Sequence, residues 1–412
     1  MRKTMWIAAG FSLLVSAAHA ADSVKIGLIE PLSGPIAAVG QEALDSMNMV
    51  ADAVNAAGGI MGRNIEVVPL DNAMNAEKTT QQLRKAIDDG LRYVMQGVGS
   101  NHALNIIKQI NKHNKRNPDK SVMFFNHSAI TTAFTNELCS FWHFRFDANV
   151  DMKVAALLSA MGADAKVTKV YMLNQNYAYG KSFQAAANKL FKDRVPNGEL
   201  VGDDLIVPFG KVQDFTPFVS KIKKAGADTV LTGNWGPDLV RFVKAAADAG
   251  LNVQFYTIYG GLPSSMAGFG KAAAEKLALK QVSEFHLNED INADARTFAE
   301  AYLAKYNRSW YADRYRWLMA MFAAAANKAG SVDPVAVGKA MEGLAFDGPV
   351  GTVTMRAEDH QIQMPMIVSE VSDKAKVPFI YDGKDFGFAW ATKSAISADV
   401  VGQPTTCKMK RP

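Results

Sequence analysis

The sequence predicts an α/β protein made of two doubly wound lobes, each built on a mostly parallel sheet. Two observations carry this prediction. Apolar strand patterns alternate with helical patterns along the whole chain, as they do in β-α-β units. The length that follows a short leader also suits two domains of ordinary size, each with ample core.

The stretch 24–72 contains the unit that the rest of the chain repeats. Its apolar run at 24–29 is typical of a strand buried on both faces of a parallel sheet. Pro31 ends this strand, and the pair Gly58-Gly59 ends the helix that follows it. The apolar stripe of that helix consists of Leu44, Met47, Val50, Ala51 and Val54. A second strand at 65–70 completes a β-α-β unit, which is expected to be right-handed. Ligands of such sheets bind at the carboxyl ends of the strands, so the loop 32–39 is a candidate pocket wall.

The same alternation continues to the end of the chain. Further strands are predicted at 92–96, 122–126, 141–145, 167–173, 228–232, 254–258, 279–285, 351–355 and 364–370. Further helices are predicted at 76–89, 180–191, 293–306, 311–328 and 334–344, with a loop at 174–179. In the helix 311–328 the aromatic residues Tyr315, Trp317 and Phe322 are interpreted as core packing.

The first twenty residues have the pattern of a secretory signal peptide. Arg2 and Lys3 give a positive start, a mostly apolar run follows, and Ala18-His19-Ala20 is a cleavage site of the small-x-small type. The apolar run is too short to span a bilayer comfortably, which disfavours a membrane anchor. We therefore predict export of the chain.

Charge and cysteine content exclude some functions and leave one question open. The formal charge is +5, and without Arg2 and Lys3 there are 43 basic against 40 acidic residues, which is too mild for a nucleic-acid partner. Cys139 and Cys407 are the two cysteines, and in an exported chain this number favours one disulfide. Two buried free thiols remain the alternative. Neither cysteine has a CxxC partner, so no metal site is predicted.

A glycine-rich segment follows the strand 92–96. Gly97-Val98-Gly99 lacks the third glycine of a dinucleotide fingerprint and has no acidic residue at the appropriate distance, so no nucleotide cofactor is predicted. We expect its backbone N–H groups and the Ser100 hydroxyl to meet a ligand carboxylate at the start of the next helix. A helix N-cap at Ser100 is the structural alternative.

The segment 24–72 resembles a known family. A strand, then LSGP, a glycine, a helix, NAAGGIMGR and a strand ending in Asp71-Asn72 is similar to the amino-terminal signature of periplasmic branched-chain amino-acid binding proteins. These are solute receptors of ABC importers with the type I periplasmic binding fold. The resemblance implies lobe one at 21–145 plus 285–345, lobe two at 146–284 plus 346–412, and three crossovers between them. It also implies a periplasmic monomer without cofactor that binds a small molecule and docks on a membrane permease.

The resemblance places further ligand-binding residues on this sequence. Ser128 falls on a contact position of the family, and Ile130 falls where the family usually has a hydroxyl. Tyr179, before a glycine, matches an aromatic residue that lines the cleft from lobe two. Independently of the resemblance, the place of Trp235 after the strand 228–232 makes it a candidate stacking wall for the ligand, and a rim aromatic is the alternative. Tyr259 stands where relatives carry the acidic residue that pairs with a ligand ammonium.

The missing acidic residue decides the predicted ligand. A buried ammonium without a carboxylate partner is strongly unfavourable, so we predict a small carboxylate with an apolar or aromatic body. Many relatives also carry a tyrosine at the position of Val39. The alternative is a branched-chain amino acid or a short amide whose amine meets carbonyls, water or another acid. Asp71, Asp147 and Glu284 are the candidates for that acid.

An enzyme is the rival class, and the motifs argue against it. The sequence has no GxSxG elbow and no P-loop, and its seven histidines are scattered. No catalytic residue is therefore predicted. An α/β hydrolytic enzyme and a sensory receptor on the same fold remain the alternatives to a transport receptor.

Overall fold

The computed structural model of the chain describes residues 23–207, 210–284, 292–349, 351–375 and 377–412. The predicted signal peptide at 1–20 lies outside these ranges, and so does residue 285, where the second segment of lobe one is predicted to begin. None of the helices within the described ranges combines the length and apolar character that a membrane crossing requires.

Strands and helices alternate along the described chain. The strands are β1 (Val24–Glu30), β2 (Ile65–Asp71), β3 (Tyr93–Gln96), β4 (Met123–Asn126), β5 (His143–Arg145), β6 (Lys169–Gln175), β7 (Glu199–Ile206), β8 (Thr229–Thr232), β9 (Gln254–Thr257), β10 (Leu279–Ser283), β11 (Ala345–Gly348), β12 (Gly351–Met355), β13 (Ile362–Gln363), β14 (Met366–Ser372), β15 (Ile380–Tyr381), β16 (Lys384–Asp385) and β17 (Ala389–Ile396). The α-helices are α1 (Ala37–Ala56), α2 (Ala76–Asp88), α3 (Ser100–Arg116), α4 (Val150–Gly162), α5 (Ala178–Arg194), α6 (Thr216–Lys224), α7 (Gly236–Asp248), α8 (Pro263–Lys276), α9 (Ala293–Tyr306), α10 (Arg314–Ala329), α11 (Pro334–Met341) and α12 (Ala398–Val401).

Two sheets organise the molecule. The first has the strand order β2-β1-β3-β4-β5 and is parallel throughout. The second has the order β17-β14-β10-β9-β8-β6-β7, and β14 runs antiparallel to both of its neighbours, β10 and β17, whereas the other pairs are parallel. We call the body around the first sheet lobe one and the body around the second sheet lobe two. The predicted α/β class with mostly parallel sheets is confirmed.

The apolar run that predicted β1 lies at the centre of lobe one. β1 pairs with β2 on one side and β3 on the other, and Ile26, Leu28 and Ile29 are fully buried. Helix α1 packs against α10, so residues distant in sequence cover the same face of the sheet. This packing explains why the helix pattern at 311–328 is largely apolar.

Three parts of the structure differ from the sequence prediction. Tyr179 is predicted in a loop but lies in the first turn of α5. Helix α5 begins early because Gly180 packs onto the backbone of Gln175, where an added Cβ would stand 1.7 Å from the carbonyl oxygen. Helix α4 is not among the predicted helices. Most of it is buried, so its residues are apolar on nearly all sides and show no helical period in the sequence. Helix α8 is interrupted by a kink at Gly270, whose φ is +73°.

The strands β7 and β17 are also absent from the sequence prediction. They occupy the two edges of the lobe-two sheet, where most of the side chains of β7 are only partly buried. A strand in this position lacks the continuous apolar run of a central strand, and the apolar pattern is the main sequence signal for a strand.

A disulfide joins Cys139 to Cys407 across 268 residues of sequence. Cys139 precedes β5 of lobe one, whereas the last sheet strand before Cys407 is β17 of lobe two. The carboxyl-terminal segment is also hydrogen-bonded to lobe one, since the Thr405 hydroxyl donates to the carbonyl of Thr135. The tail therefore reaches from lobe two back to lobe one.

Candidate ligand-binding site

A cavity lies between the lobes, at the carboxyl ends of the parallel strands of both sheets. It encloses about 470 Å³ of empty space including its mouth. Its walls consist of Val39, Gly97, Val98, Gly99, Ser100, His127, Ser128, Ile130, Tyr177, Tyr179, Trp235, Tyr259, Leu262, Tyr311, Arg314 and Tyr315. All six residues that the sequence predicts as ligand contacts are among them. Of the predicted wall at 32–39, only Val39 is.

The amino terminus of α3 forms the polar part of the lobe-one wall. Gly99 is the N-cap residue and has a φ of +92°, a conformation that favours glycine, and Ser100 is the first helical residue. The Ser100 side chain therefore does not cap the helix. Within the described residues its hydroxyl has no protein hydrogen-bond partner, although Ser100 is buried. A free hydroxyl beside a helix amino terminus suits an anionic group.

The loop after β4 contributes Ser128 and Ile130. The Ser128 hydroxyl donates to the carbonyl oxygen of His127 at 2.7 Å and accepts from Arg314 Nε at 2.9 Å. It is thus engaged within the protein. The backbone N–H of Ile130 has no acceptor in the described part of the chain, and its side chain is buried. Ile130 therefore offers a backbone donor to the cavity, although its side chain carries no hydroxyl.

A buried carboxylate fixes the glycine-rich loop. Glu30, at the end of β1, accepts from the N–H of Gly97 at 2.6 Å, and its Oε1 lies 2.7 Å from His127 Nε2. An added Cβ at Gly97 would stand 2.3 Å from the His127 ring, so glycine is needed at this position. The contact between Glu30 and His127 is not predictable from the sequence, because the two residues lie 97 positions apart.

Aromatic residues form the lobe-two wall. The Tyr179 hydroxyl donates to the carbonyl of Gly233 at 2.8 Å, and Trp235 Nε1–H donates to the Tyr177 hydroxyl at 2.8 Å. Tyr259 reaches across the cleft and donates to the carbonyl of Ser128 in lobe one at 3.1 Å. Burial, with nearby negative charge, raises the pKa of Tyr179 and of Tyr259 well above the ordinary value. Both phenols therefore remain protonated and act as hydrogen-bond donors.

Four buried charges lie beside the cavity, and Arg314 is the one of them that lines it. Arg314 Nη1 donates to Glu284 Oε1 at 2.5 Å, and Lys153 Nζ lies 2.7 Å from Asp147 Oδ1. Burial opposes the charge on Arg314, but Glu284 outweighs it and raises the pKa of the guanidinium. Burial likewise opposes the charge on Glu284, yet Arg314 and then Lys153 hold its pKa below the ordinary value. Glu284 is therefore ionised and paired with Arg314, and Asp147 is paired with Lys153.

The three candidate ammonium partners occupy different places. Asp71 accepts from the N–H of Leu32 and of Ala73 and does not line the cavity. Asp147 and Glu284 lie behind the wall, each in contact with a basic side chain. None of the described cavity-lining residues is acidic.

Helix α10 and the turn before it contribute residues that the sequence analysis did not assign to the site. Trp317 and Phe322 are core residues as predicted, but Tyr315 lines the cavity together with Tyr311 and Arg314. The Arg314 guanidinium stacks on the Tyr315 ring at 5.1 Å. The sequence does contain a sign of this contribution, because Arg314 follows Tyr311 by three residues in an otherwise apolar helical stripe.

Comparison with known proteins now identifies the family. Residues 23–376 match the periplasmic binding protein family. The chain belongs to this family. It is a type I periplasmic binding protein of the branched-chain amino-acid type, as the resemblance of the segment 24–72 implied.

Several relatives of this periplasmic binding protein carry descriptive names. It is 31% identical to the Leu/Ile/Val-binding protein homolog 4 of Brucella abortus (strain 2308), over 98% of this chain and 97% of that protein. It is similar to the closed structure of the leucine-, isoleucine-, valine-, threonine- and alanine-binding protein from Brucella ovis, with 30% identity, a TM-score of 0.85 and coverage of 95% and 100% of the two chains. A Rhodopseudomonas palustris solute-binding protein in complex with benzoate shares the fold, with 21% identity, a TM-score of 0.75 and coverage of 94% and 99%.

The family assignment settles the general role. Members are small-molecule receptors that work with the permease of an ABC importer, and the relatives are periplasmic solute-binding proteins. The described residues of this binding protein contain no group of three His, Cys, Asp or Glu side chains placed to hold a metal ion.

Proposed function

We propose that this periplasmic binding protein captures a small carboxylate with an apolar or aromatic body and delivers it to an importer permease. The observation that carries the proposal is the charge pairing at the cavity, where Arg314 holds Glu284 and Lys153 holds Asp147. No acidic side chain among the described lining residues is left for a ligand ammonium. Burying an ammonium group without a carboxylate partner costs roughly several kcal/mol. A ligand that has no ammonium group avoids this cost.

The carboxylate end of the ligand fits the lobe-one wall. The Ser100 hydroxyl and the Ile130 N–H are donors without protein acceptors in the described residues, and the amino terminus of α3 adds a positive partial charge. In this proposal Ser128 acts indirectly, because its hydroxyl orients the Arg314 guanidinium.

The body of the ligand fits the aromatic wall. Tyr179, Trp235 and Tyr259 face the cavity from lobe two, and their own polar atoms are engaged with protein groups. Their rings therefore present apolar surface, which favours a flat apolar body in stacked or edge-to-face contact. A phenyl-type acid meets this description.

A branched-chain amino acid is the second candidate, and the relatives favour it. The Brucella abortus and Brucella ovis proteins are named for leucine, isoleucine and valine, at 31% and 30% identity. In that case backbone carbonyls, water or Glu284 would have to meet the ammonium. Glu284 would first have to leave Arg314.

Three further predictions complete the proposal. The leader at 1–20 directs export to the periplasm, the protein acts as a monomer, and the lobes divide at 21–145 plus 285–345 and 146–284 plus 346–412. Cleft closure about the crossovers between these segments brings the two walls together around the ligand, and the ligand stabilises only that closed state.

A thermal-shift screen tests the proposed ligand class. Mature protein is unfolded and refolded to remove carried-over ligand and is then mixed with leucine, isoleucine, valine, benzoate, phenylacetate or cinnamate. A ligand at about 100 times its Kd stabilises the folded state by about 2.7 kcal/mol, which gives a clear melting shift. Shifts with the aromatic acids alone support the proposal. Shifts with the amino acids alone would contradict it and support the second candidate.

A further inference from the structure

Arg314 stands between the ligand cavity and a smaller side pocket. The side pocket encloses about 270 Å³, and Glu284 is one of the residues that line it. Four residues line both spaces and thus form the partition between them: Tyr259, Leu262, Tyr311 and Arg314. Three of the four are uncharged, so Arg314 is the charged member of this partition.

We propose that Arg314 determines the charge selectivity of the cleft by covering the Glu284 carboxylate and turning a cation towards the ligand. This inference rests on the proposed function, because it explains how a cleft of this family prefers an acid to an amino acid. Glu284 carries the negative charge that an ammonium would need, but the Arg314 guanidinium lies between it and the cavity.

The hydrogen bonds of Arg314 leave donors for a ligand. A guanidinium has five N–H donors. In this chain Nε donates to the Ser128 hydroxyl and Nη1 donates to Glu284. Within the described residues the Nη2 group has no protein acceptor, although Arg314 is only 4% exposed. The Nη2 group can therefore donate hydrogen bonds to the carboxylate of a ligand in the cavity.

The position of the guanidinium is fixed from several sides. Its Cζ atom lies over the rings of Tyr311 and Tyr315, at 5.6 and 5.1 Å from their centroids. Glu284 and Ser128 hold its edge. A side chain held in this way loses little further freedom when it binds a ligand, which favours a selective contact.

Two charge-changing variants test the inference because they are expected to act in opposite directions. Glu284→Gln keeps an acceptor for Arg314 but removes the compensating charge, so benzoate should bind more tightly, by about fivefold or more. Arg314→Met removes the cation and uncovers Glu284. Benzoate should then bind at least about tenfold more weakly, and leucine should bind more tightly than to the wild type.

The experiment measures the Kd of benzoate and of leucine by calorimetry for the full mature chain and both variants. The double variant Arg314→Met/Glu284→Gln is the control for folding, because replacing a whole buried ion pair is close to neutral for stability. This double variant should show neither the tighter benzoate binding of Glu284→Gln nor the tighter leucine binding of Arg314→Met. If Arg314→Met does not fold, the sign of the Glu284→Gln effect on benzoate still decides the question.

The outcomes separate this inference from the proposed function. If the wild type binds benzoate and the two variants shift its Kd in opposite directions, the inference stands. If the wild type binds benzoate but both variants weaken it alike, Arg314 and Glu284 are a structural pair, and the inference fails while the proposed function holds. If the wild type binds leucine and not benzoate, the proposed function fails and this inference fails with it.

Discussion

Glu42 of lobe one accepts a hydrogen bond from the backbone N–H of Ser264 in lobe two, at 2.8 Å. The carboxylate lies one helical turn after Val39 and the N–H lies two residues after Leu262, so the contact joins the two lobes beside two residues that line the cavity. Ser264 is in the first turn of α8, where a helix favours a negative partner. Glu42 is nevertheless fully buried, and its second oxygen has no partner in the described residues.

This burial predicts a pH-dependent stability. Burial raises the pKa of Glu42 from 4.5 to about 7, against the hydrogen bond from Ser264 and the charge of Arg308. The folded protein then keeps a proton that the unfolded chain releases between these pH values, so the free energy of unfolding falls as the pH rises through the window. The full difference is about 3 kcal/mol, at about 1.4 kcal/mol per pKa unit.

Urea unfolding of the wild type and of Glu42→Gln between pH 4 and 8 measures this effect. Burial also raises the pKa of Asp313, to about 6, but that contribution is common to both proteins. The free energy of unfolding of the wild type, relative to that of Glu42→Gln, should therefore decline as the pH rises. A difference that does not change with pH would rule out a buried, protonated Glu42.

Tyr259→Phe should weaken ligand binding by destabilising the closed cleft. The mutation removes the hydrogen bond from Tyr259 to the Ser128 carbonyl, which joins the lobes. A loss of about 1 kcal/mol corresponds to roughly fivefold weaker binding and faster ligand release. Stopped-flow dissociation of the ligand identified by the thermal screen measures it.

Tyr179→Phe is the matched control for this prediction. Its hydroxyl donates to Gly233 within lobe two, so its loss affects folding stability and not the contact between lobes. Equal dissociation rates for the two variants would show that the Tyr259 hydroxyl does not contribute to closure.

Trp235→Ala should weaken ligand binding without unfolding the protein. Trp235 is 6% exposed and lines the cavity at the start of α7, so its loss removes a large apolar face from the ligand. We expect at least about tenfold weaker binding by calorimetry, as for a buried aromatic anchor. Trp142→Ala is the control, because Trp142 packs against Phe141 away from the cavity. Unchanged affinity in Trp235→Ala would end its assignment as a cavity wall.

Removing the disulfide should lower stability. A double substitution of Cys139 and Cys407 by serine frees a closed loop with a sequence separation of 268 residues. The unfolded chain gains freedom, so the free energy of unfolding should fall by about 2–4 kcal/mol. Urea unfolding with and without reductant measures this change. Reductant should destabilise the wild type and leave the double variant unaffected, and a wild type indifferent to full reduction would contradict the prediction.

The sequence predicts those parts of the site that follow directly from strand ends. Ser100, Ser128 and Trp235 each come soon after an apolar strand, and the parallel sheet brings such positions to one edge. Arg314 and Glu284 could not be paired in the same way. They lie 30 residues apart on separate elements, and their contact depends on how the lobes pack.

The same limit applies to the fold. A central strand such as β1 has a continuous apolar run and is predicted with nearly its observed bounds. The edge strand β7 is for the most part only partly buried and is missed. The early start of α5 depends on a close approach of Gly180 to Gln175, which no periodicity in the sequence reveals. The features that the sequence does not predict are therefore those that depend on tertiary contacts.

The bond between Cys139 and Cys407 also changes the topology of the molecule. Every residue between these two cysteines belongs to a closed covalent ring, and that ring contains the whole lobe-two sheet. A single proteolytic cut inside the ring opens it but releases no fragment, because both new ends remain attached through the disulfide. A receptor nicked once in lobe two thus remains one molecule, and it takes a second cut or a reductant to separate its parts.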